Sequence, residues 1–255
     1  MFNTGNTWKD RALAAGAHLG MSVAVAGLAA ALVFFVWYPY PYREISGGRE
    51  LFFLVVAVDV VLGPLLTFAI FNRTKPWKVL QRDLVVIVAL QLAALGYGLW
   101  TVAVARPVHL VFEYDRFRPV HAIEMQEGLL SKAPAELRSL PWTGPTTIGL
   151  RPLVGNETME ATMAALGGVH LAWQAQYWQP YAKSQQQVIK AGKSVAELRQ
   201  RFAKHQALID QAVAESGRPE AQLRWLPMYG RKDFWTVFID ATSAEPLSFI
   251  PLDSF

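Results

Sequence analysis

The sequence predicts an α+β protein: three N-terminal transmembrane helices, then an antiparallel sheet domain with helices inserted between strands 2 and 3. Three apolar runs, at about residues 17–37, 51–71 and 84–105, each have the length needed to cross a hydrocarbon core about 30 Å thick. From residue 106 onward, charged and apolar residues are mixed as in a soluble domain, with strand-like segments at both ends and helix-like segments between them. We therefore expect a membrane domain over 1–105 and a second domain over 106–255.

Composition supports this division and excludes several classes of function. Of the 255 residues, 53% are hydrophobic and 17% charged, whereas a soluble domain has about 25% charged residues. The formal net charge of +4 arises mostly beside the apolar runs, so it does not form the basic stripe of a nucleic-acid-binding protein. The absence of cysteine from the sequence excludes disulfides, zinc ribbons and thiol catalysis.

The first apolar run is predicted to remain as an anchor. Lys9 and Arg11 precede it, as in a signal peptide, but the run exceeds the roughly 7–15 residues of a signal peptide's apolar region. It also ends at bulky residues, Phe34 to Trp37, and not at the small residues of a cleavage site. Buried helices of a soluble protein are the alternative, and three such runs in succession argue against it.

Positive charges in the short loops predict the orientation. Arg43 and Arg49 lie between the first two runs, whereas six positive residues lie before the first run or between the second and third: Lys9, Arg11, Arg73, Lys75, Lys78 and Arg82. Because positive loops stay in the cytoplasm, we expect a cytoplasmic N-terminus. Three crossings of a bacterial inner membrane then place 106–255 in the periplasm.

Residues 106–255 are predicted to form one sheet with helices on a face. The segment 107–114 and a second run ending near Met125 favour a hairpin, because β-branched and aromatic residues flank a short polar break. Asn156 and Ser194 can each cap a helix, the first ending near Ala165 and the second near Lys204. Residues 207–214 add helix, and strands return at 223–229, 234–240 and 247–251, the last two joined by a turn at 240–246.

No catalytic motif is found in the sequence, and we predict neither enzymatic activity nor a cofactor or metal. There is no G-x-S-x-G, Walker, H-E-x-x-H or G-x-G-x-x-G pattern. His109 and His121 could face one another across the hairpin, although structural histidines are the simpler interpretation. Glu157 and Glu160 could pair on one helix face, but acidic residues also favour the first turn of any helix.

The unusual residues lie in the second apolar run. Asp59 stands near its middle, where an acid is costly and normally faces a protein partner or a cavity. Gly63 and Pro64 are predicted to interrupt the helix, because proline leaves the carbonyl four residues back without its donor. Thr67 and Gln91 could complete a polar pocket. Three interpretations remain open: an internal contact from Asp59 to Gln91 or Thr67, recognition of a partner or ligand, and ion or proton passage.

Small residues follow one face of the first run. Gly16 and Gly20 are followed by Ala24, Gly27 and Ala31. Such small-residue spacing lets two helix backbones approach closely. We expect Gly16 and Gly20 to contact another helix, either of this chain or of a partner protein.

Several stretches together carry a family resemblance. Residues 58–67 read VDVVLGPLLT, and 90–98 read LQLAALGYG after Asp83. Arg106-Pro107 then leads to FEYDRF at 112–117, and WTVFID ends at Asp240. This combination resembles type IV pilin accessory proteins of the TfpX/TfpZ type. The resemblance implies an inner-membrane protein that aids pilin stability, assembly or pilus dynamics, and it transfers no catalytic residues.

We therefore predict a non-enzymatic, chaperone-like accessory protein. Its expected partners are the type IV major pilin or other pilus-assembly membrane proteins and the lipid bilayer, with no nucleic acid. A membrane groove containing an acid would suit the apolar N-terminal helix of a pilin. The alternative is an extracytoplasmic ligand sensor acting through a separate partner, because PAS-like sensor domains share the strand–helix–strand order. A small membrane enzyme or transport subunit ranks third.

Overall fold

A computed structural model describes residues 7–125 and 127–255 of the chain. These residues form two compact units. The first, called the helical unit, comprises the chain up to Pro39 together with Gly48–Val104. The second, called the sheet unit, comprises Tyr40–Gly47 together with Ala105–Phe255. The segment between the first two apolar helices therefore belongs to the same unit as the C-terminal part of the chain.

The helical unit contains three long helices within the described residues. The first four helices of the chain are α1 Thr7–Ala31, α2 Tyr42–Ile45, α3 Gly48–Ile70 and α4 Trp77–Val104. α1 continues into a π-helical segment, Leu32–Trp37, and α2 is a single turn in the sheet unit. The three long helices are long and apolar enough to cross a membrane. The prediction of three apolar N-terminal helices is confirmed.

The segment Tyr40–Gly47 is built into the sheet unit. Ile45 of α2 is 1% exposed and belongs to an apolar cluster with residues of the sheet. Its carbonyl accepts a hydrogen bond from the Arg231 amide at 2.8 Å. The Tyr42 ring packs edge-on against the Phe249 ring, with 5.9 Å between ring centres. Nothing in the local sequence pattern distinguishes this segment from a solvated loop.

Eight strands form one sheet in the described part of the sheet unit. They are β1 Pro107–Phe112, β2 Phe117–His121, β3 Thr146–Leu150, β4 Trp178–Pro180, β5 Lys193–Ser194, β6 Leu223–Tyr229, β7 Phe234–Asp240 and β8 Pro246–Ile250. The order is β4-β3-β1-β2-β6-β7-β8, and β5 pairs with β6. The predicted hairpin and the three predicted C-terminal strands thus share one sheet, and the α+β fold is confirmed.

The sheet is mixed, and in this respect the predicted antiparallel sheet is wrong. β1 pairs with β3 in parallel, and so does β2 with β6. The remaining neighbours, such as β1 with β2 and β6 with β7, are antiparallel. After β2 the chain crosses to the other side of β1 before it forms β3, and a strand reached by such a crossover runs parallel to its neighbour.

Helices do lie between β2 and β6, but strands alternate with them. They are α5 Glu127–Leu130, α6 Glu157–Leu166, α7 Gln185–Ala191, α8 Val195–Arg201 and α9 Gln206–Ser216. The Ser194 hydroxyl accepts a hydrogen bond from the Glu197 amide at 3.3 Å, so the predicted cap of α8 is formed. The Asn156 side chain makes no capping hydrogen bond within the described chain. Instead, the Glu157 carboxylate accepts one from the Val154 amide at 2.8 Å.

The interior of the sheet unit is apolar, and its tryptophans have satisfied polar ends. Trp178 and Trp225 are fully buried. The Trp178 Nε1 donates to the Ala172 carbonyl at 2.8 Å, and the Trp225 Nε1 donates to the Ser194 carbonyl at 2.9 Å. Buried indole N–H groups normally find such partners. A buried indole N–H without a hydrogen-bond partner would therefore be unusual in this unit.

Candidate functional site

The buried face of α3 carries polar and small residues. Asp59, Gly63 and Thr67 are buried and recur at four-residue spacing. Positions four residues apart lie above one another on a helix, so these three form one stripe. α3 packs against both α1 and α4. The stripe is therefore protected by protein, and apolar side chains cover the outer face of the helix.

Gln91 of α4 reaches the backbone of α3 beside Gly63. The Gln91 Nε2 donates to the Asp59 main-chain carbonyl at 3.1 Å. A Cβ on Gly63 would clash with the same nitrogen. Glycine at this position therefore leaves the space that the Gln91 amide occupies, and the two residues together hold α4 against α3.

His18 of α1 provides the second polar contact with α3. Its Nδ1 lies 2.6 Å from the Thr67 hydroxyl oxygen, and both residues are buried. A hydrogen bond between two helices satisfies polar groups that would otherwise face an apolar medium. α3 is thus joined by one side-chain hydrogen bond to α4 and by another to α1.

The Asp59 carboxylate takes part in neither contact. Asp59 is 9% exposed, its Oδ1 is enclosed, and the carboxylate forms no hydrogen bond or ion pair with any described residue. The internal contact expected from this carboxylate to Gln91 or Thr67 is therefore absent from the described chain. Thr67 is too distant, because eight residues of helix span about 12 Å, and Gln91 binds the main chain instead.

Pro64 does not interrupt α3, so this part of the prediction is wrong. The helix runs without a break from Gly48 to Ile70 and contains Pro64. Proline removes the hydrogen bond to the carbonyl four residues back, but neighbouring helices and the remaining turns maintain a long apolar helix. The polar character of this site therefore comes from side chains and from the contact at Gly63.

The three helices enclose a groove of about 220 Å³ in which Asp59 is the acidic group. α3 contributes Asp59 and Val56, and it lies between the walls formed by α1 and α4. The walls are mostly apolar and are formed by His18, Met21, Ser22, Val25 and Ala26 of α1 and by Val88, Gln91, Leu92 and Leu95 of α4. Met21 and Leu92 are 62% and 60% exposed, so the groove opens at the surface of the unit.

Gly16 and Gly20 lie outside this groove. Both are exposed, and a Cβ on either would meet no atom within 4 Å in the described chain. The same holds for Gly27 farther along α1. The small-residue face predicted from the sequence thus does not contact α3 or α4, and it forms a smooth surface separate from the groove.

The other candidate residues have local partners. The His109 Nδ1 lies 2.8 Å from the Thr146 hydroxyl, and the His121 Nδ1 lies 3.2 Å from the Glu124 carboxylate. Residue 109 is opposite residue 120 in the hairpin, so the two histidines do not face each other. Glu157 makes a two-pronged ion pair with Arg151, at 2.7 and 2.8 Å, and does not pair with Glu160. Among the described residues no group of His, Asp and Glu could hold a metal ion.

His18 and Ser22 are groove residues that the sequence patterns did not single out. A signal was present for His18, because a titratable side chain inside an apolar run deserves the same attention as Asp59. Ser22 has no comparable signal, since serine is common in apolar helices. Its place in the groove follows from how α1 packs.

Comparison with known proteins identifies relatives over nearly the whole chain. The family model described as Fimbrial assembly protein FimB matches residues 6–47. "Fimbrial assembly protein, serogroup I" of Dichelobacter nodosus is 34% identical over 228 residues, covering 88% of this chain and 89% of the relative. The serogroup E1 protein of that organism is 33% identical over the same shares. The protein of serogroups C1 and C2 is 44% identical over 49% of this chain and 88% of the relative. No solved structure matches the chain.

Proposed function

The chain belongs to the family of fimbrial assembly proteins, and on that basis we propose that it is a non-enzymatic accessory protein of the inner membrane that binds type IV pilin. In this proposal it holds the membrane helix of the pilin and thereby aids pilin stability, assembly or pilus dynamics. The family resemblance found in the sequence is confirmed by these relatives.

The observation that carries the proposal is the unpaired Asp59 carboxylate in an apolar groove. An acid in this position is costly in lipid unless a partner supplies positive charge or hydrogen-bond donors. A processed pilin offers such a partner, because it begins with a positively charged amine on an otherwise apolar helix. A helix of this kind would place apolar side chains between α1 and α4 and its amine beside Asp59.

The structure also offers support for the proposed topology. Tyr40–Gly47 and Ala105–Phe255 form one compact unit. With three crossings these two segments lie on the same side of the membrane, as their common unit requires. The positive-charge distribution then favours the periplasm for the sheet unit and the cytoplasm for the N-terminus. A reporter that is active only in the periplasm should work after Phe255 and fail after Lys75; the reverse pattern would exclude this orientation.

We assign the exposed face with Gly16 and Gly20 to a second helix contact. Because this face has no partner helix in the described chain, it is available either to a pilin or to another pilus-assembly membrane protein. This face and the groove are separate surfaces, so substitutions can test them independently.

Photo-crosslinking in living cells tests the groove directly. A photoreactive residue at Met21, in the groove, should form a covalent adduct identified by mass as pilin. The same residue at Leu62, which is 51% exposed on α3 but outside the groove, serves as the matched control and should give little adduct. Equal adducts from both positions, or none from Met21, would exclude the groove as the binding surface.

A further inference from the structure

A second cavity, of about 280 Å³, lies entirely within the sheet unit. Its wall includes Arg118 of β2, Trp173 and Arg231, together with His121 and Glu124 at the end of β2. Unlike the groove, it has several nitrogen-bearing side chains, which are five of its eleven lining residues: Arg118, His121, His170, Trp173 and Arg231. This composition indicates a site for an anion and not for an apolar helix.

Two nitrogen atoms at this cavity are buried without partners. The Trp173 Nε1 and the His121 Nε2 are enclosed and form no hydrogen bond with a described residue. His121 is itself 8% exposed. The buried indoles of Trp178 and Trp225 are both satisfied in the same unit, so the free Trp173 N–H is an exception. Leaving a buried donor without a partner is costly unless a ligand accepts its hydrogen bond.

The two arginines at the cavity are available for a ligand. The Arg118 Nε donates to Glu113 at 3.1 Å, and its guanidinium carbon lies 3.7 Å from the centre of the Tyr229 ring. These contacts fix the guanidinium, while its two terminal nitrogens form no hydrogen bond with any described residue. Arg231 is exposed, and its side chain has neither an ion pair nor a hydrogen bond within the described chain. A fixed guanidinium presents donors in the geometry that phosphate and carboxylate oxygens accept.

Glu124, the acidic residue at the cavity, already has hydrogen-bond partners. The Glu124 carboxylate accepts hydrogen bonds from the His121 amide at 2.8 Å and from the His121 Nδ1 at 3.2 Å. Because a carboxylate only accepts, the His121 Nδ1 carries the proton. These contacts fix the His121 ring with its Nε2 enclosed at the cavity.

We propose that this cavity binds a phosphate ester. Donors from Arg118, Arg231 and Trp173 belong to three separate segments of the chain, and together they can serve the several oxygen acceptors of a phosphate group. Ala105 on the cavity wall directly follows Val104, the last residue of α4. One residue of the cavity wall is therefore the next residue in the chain after a proposed membrane helix. An anionic lipid headgroup and a soluble phosphate ester are the two possible sources.

Indole NMR of the full-length protein in detergent micelles tests this proposal. The protein has nine tryptophans, and the indole N–H resonance missing from Trp173→Phe identifies Trp173. Short-chain phosphatidylglycerol, glycerol 3-phosphate and short-chain phosphatidylcholine are then added in separate titrations. We expect the Trp173 resonance to shift saturably with an anionic phosphate ester, while the remaining indole resonances show that the fold is intact.

Two variants, Arg231→Gln and the control Lys204→Gln, test whether the shift of the Trp173 resonance arises from binding in the cavity. Arg231→Gln should weaken binding roughly tenfold, the loss expected when one charge-assisted hydrogen bond is removed. Lys204→Gln removes an exposed positive charge away from the cavity and should leave binding unchanged. Saturation by phosphatidylglycerol alone would support a lipid source, and equal binding of glycerol 3-phosphate would support a soluble one. No shift with either ester, an equal shift with phosphatidylcholine, or equal binding by the two variants would overturn the proposal. None of these results depends on pilin.

Discussion

The helical unit and the sheet unit differ in what they expose, because α3 presents apolar side chains at its surface and keeps polar ones on its buried face. On α3, Asp59 and Thr67 are buried while Leu54 is 70% exposed; on β7, Val237 and Phe238 are fully buried. The sheet unit has the arrangement of a water-soluble domain, whereas the helical unit has the arrangement expected where the surrounding medium is hydrocarbon. In the helical unit, a buried polar stripe is therefore the informative feature. In the sheet unit, the informative feature is a buried polar atom without a partner.

The largest difference in stability should appear when a phenylalanine is truncated to alanine in each of the two units. Phe238 is fully buried, and Phe35 is 79% exposed. Phe238→Ala should lower the free energy of unfolding of the sheet unit by about 3–5 kcal/mol, because it leaves a cavity in the apolar interior. Phe35→Ala should change the free energy of unfolding of the helical unit, in which Phe35 lies, by less than about 0.5 kcal/mol. Denaturant unfolding of the full chain in detergent measures both, and similar losses would contradict the comparison.

Acid should destabilise the sheet unit through His109. Burial lowers the pKa of His109 to about 4, against about 6.5 in an unfolded chain. As the pH falls below 6.5 the unfolded chain takes up the proton first, so the free energy of unfolding decreases until about pH 4, where folded His109 is protonated as well. The complete change is about 3 kcal/mol.

Two substitutions isolate this pH effect. His109→Gln should remove the dependence between pH 6.5 and 4, and His205→Gln, at an exposed position, should retain it. The Arg151 guanidinium lowers the pKa of Glu157 to about 2, so Glu157 loses its contribution to stability only below about pH 4.5. Parallel pH profiles for wild type and His109→Gln would show that His109 is not the group responsible.

A smaller effect should follow when a side chain is added between α3 and α4. Gly63→Val forces the Gln91 amide away from the Asp59 carbonyl, and we expect a loss of about 1–3 kcal/mol from overpacking and the broken hydrogen bond. Gly20→Val is the matched control, because a Cβ at this position would meet no atom within 4 Å in the described chain. Thermal unfolding in detergent gives the stability. Reduced pilin crosslinking by Gly20→Val at unchanged stability would identify the small-residue face as a partner surface.

The smallest effect on stability should accompany the loss of charge at position 59. Asp59→Asn removes the charge from a side chain that has no partner in the described chain, so it breaks no contact and should not lower stability. Under the proposed function, pilin crosslinking and surface piliation should nevertheless fall. Leu62→Ala changes an exposed residue of α3 outside the groove and retains the charge of Asp59, so it should leave crosslinking largely intact. Normal piliation with Asp59→Asn, or loss of the protein itself, would contradict charge recognition.

The elements that the sequence predicts well are those with strong local signals. Strands 223–229 and 234–240 agree with β6 and β7 because β-rich runs end at turn residues. The local pattern does not predict β3 and β4, because β4 has only three residues and the pairing partners of both strands lie far away in the chain. The parallel pairing of β1 with β3 has no local signature at all. It depends on the path of the crossover, which periodicity does not encode.

Prediction of the candidate site from the sequence is limited in the same way, because residue types can be predicted but their contacts cannot. The presence of polar residues on α3 and α4 is readable in the sequence, because polar side chains are rare in apolar runs. Their pairing is not readable, since it depends on which helix faces which. Thr67 meets His18 and not Asp59, and Gln91 meets a main-chain carbonyl. The free nitrogens of Trp173 and His121 are likewise visible only after the fold brings distant segments around one cavity.

The burial of Ile45 in the sheet unit has a consequence for the order of synthesis. Ile45 packs in one cluster with Ala244 and Phe249, so its place in that core is completed only after β7 and β8 have been synthesised. The sheet cannot assemble fully as a late, contiguous block in the way that simple domains do on the ribosome. A truncated fragment that begins at Ala105 would lack Ile45 and Tyr42 and would expose the apolar surface they cover. Biochemical work on a soluble fragment should therefore graft Tyr40–Gly47 onto it.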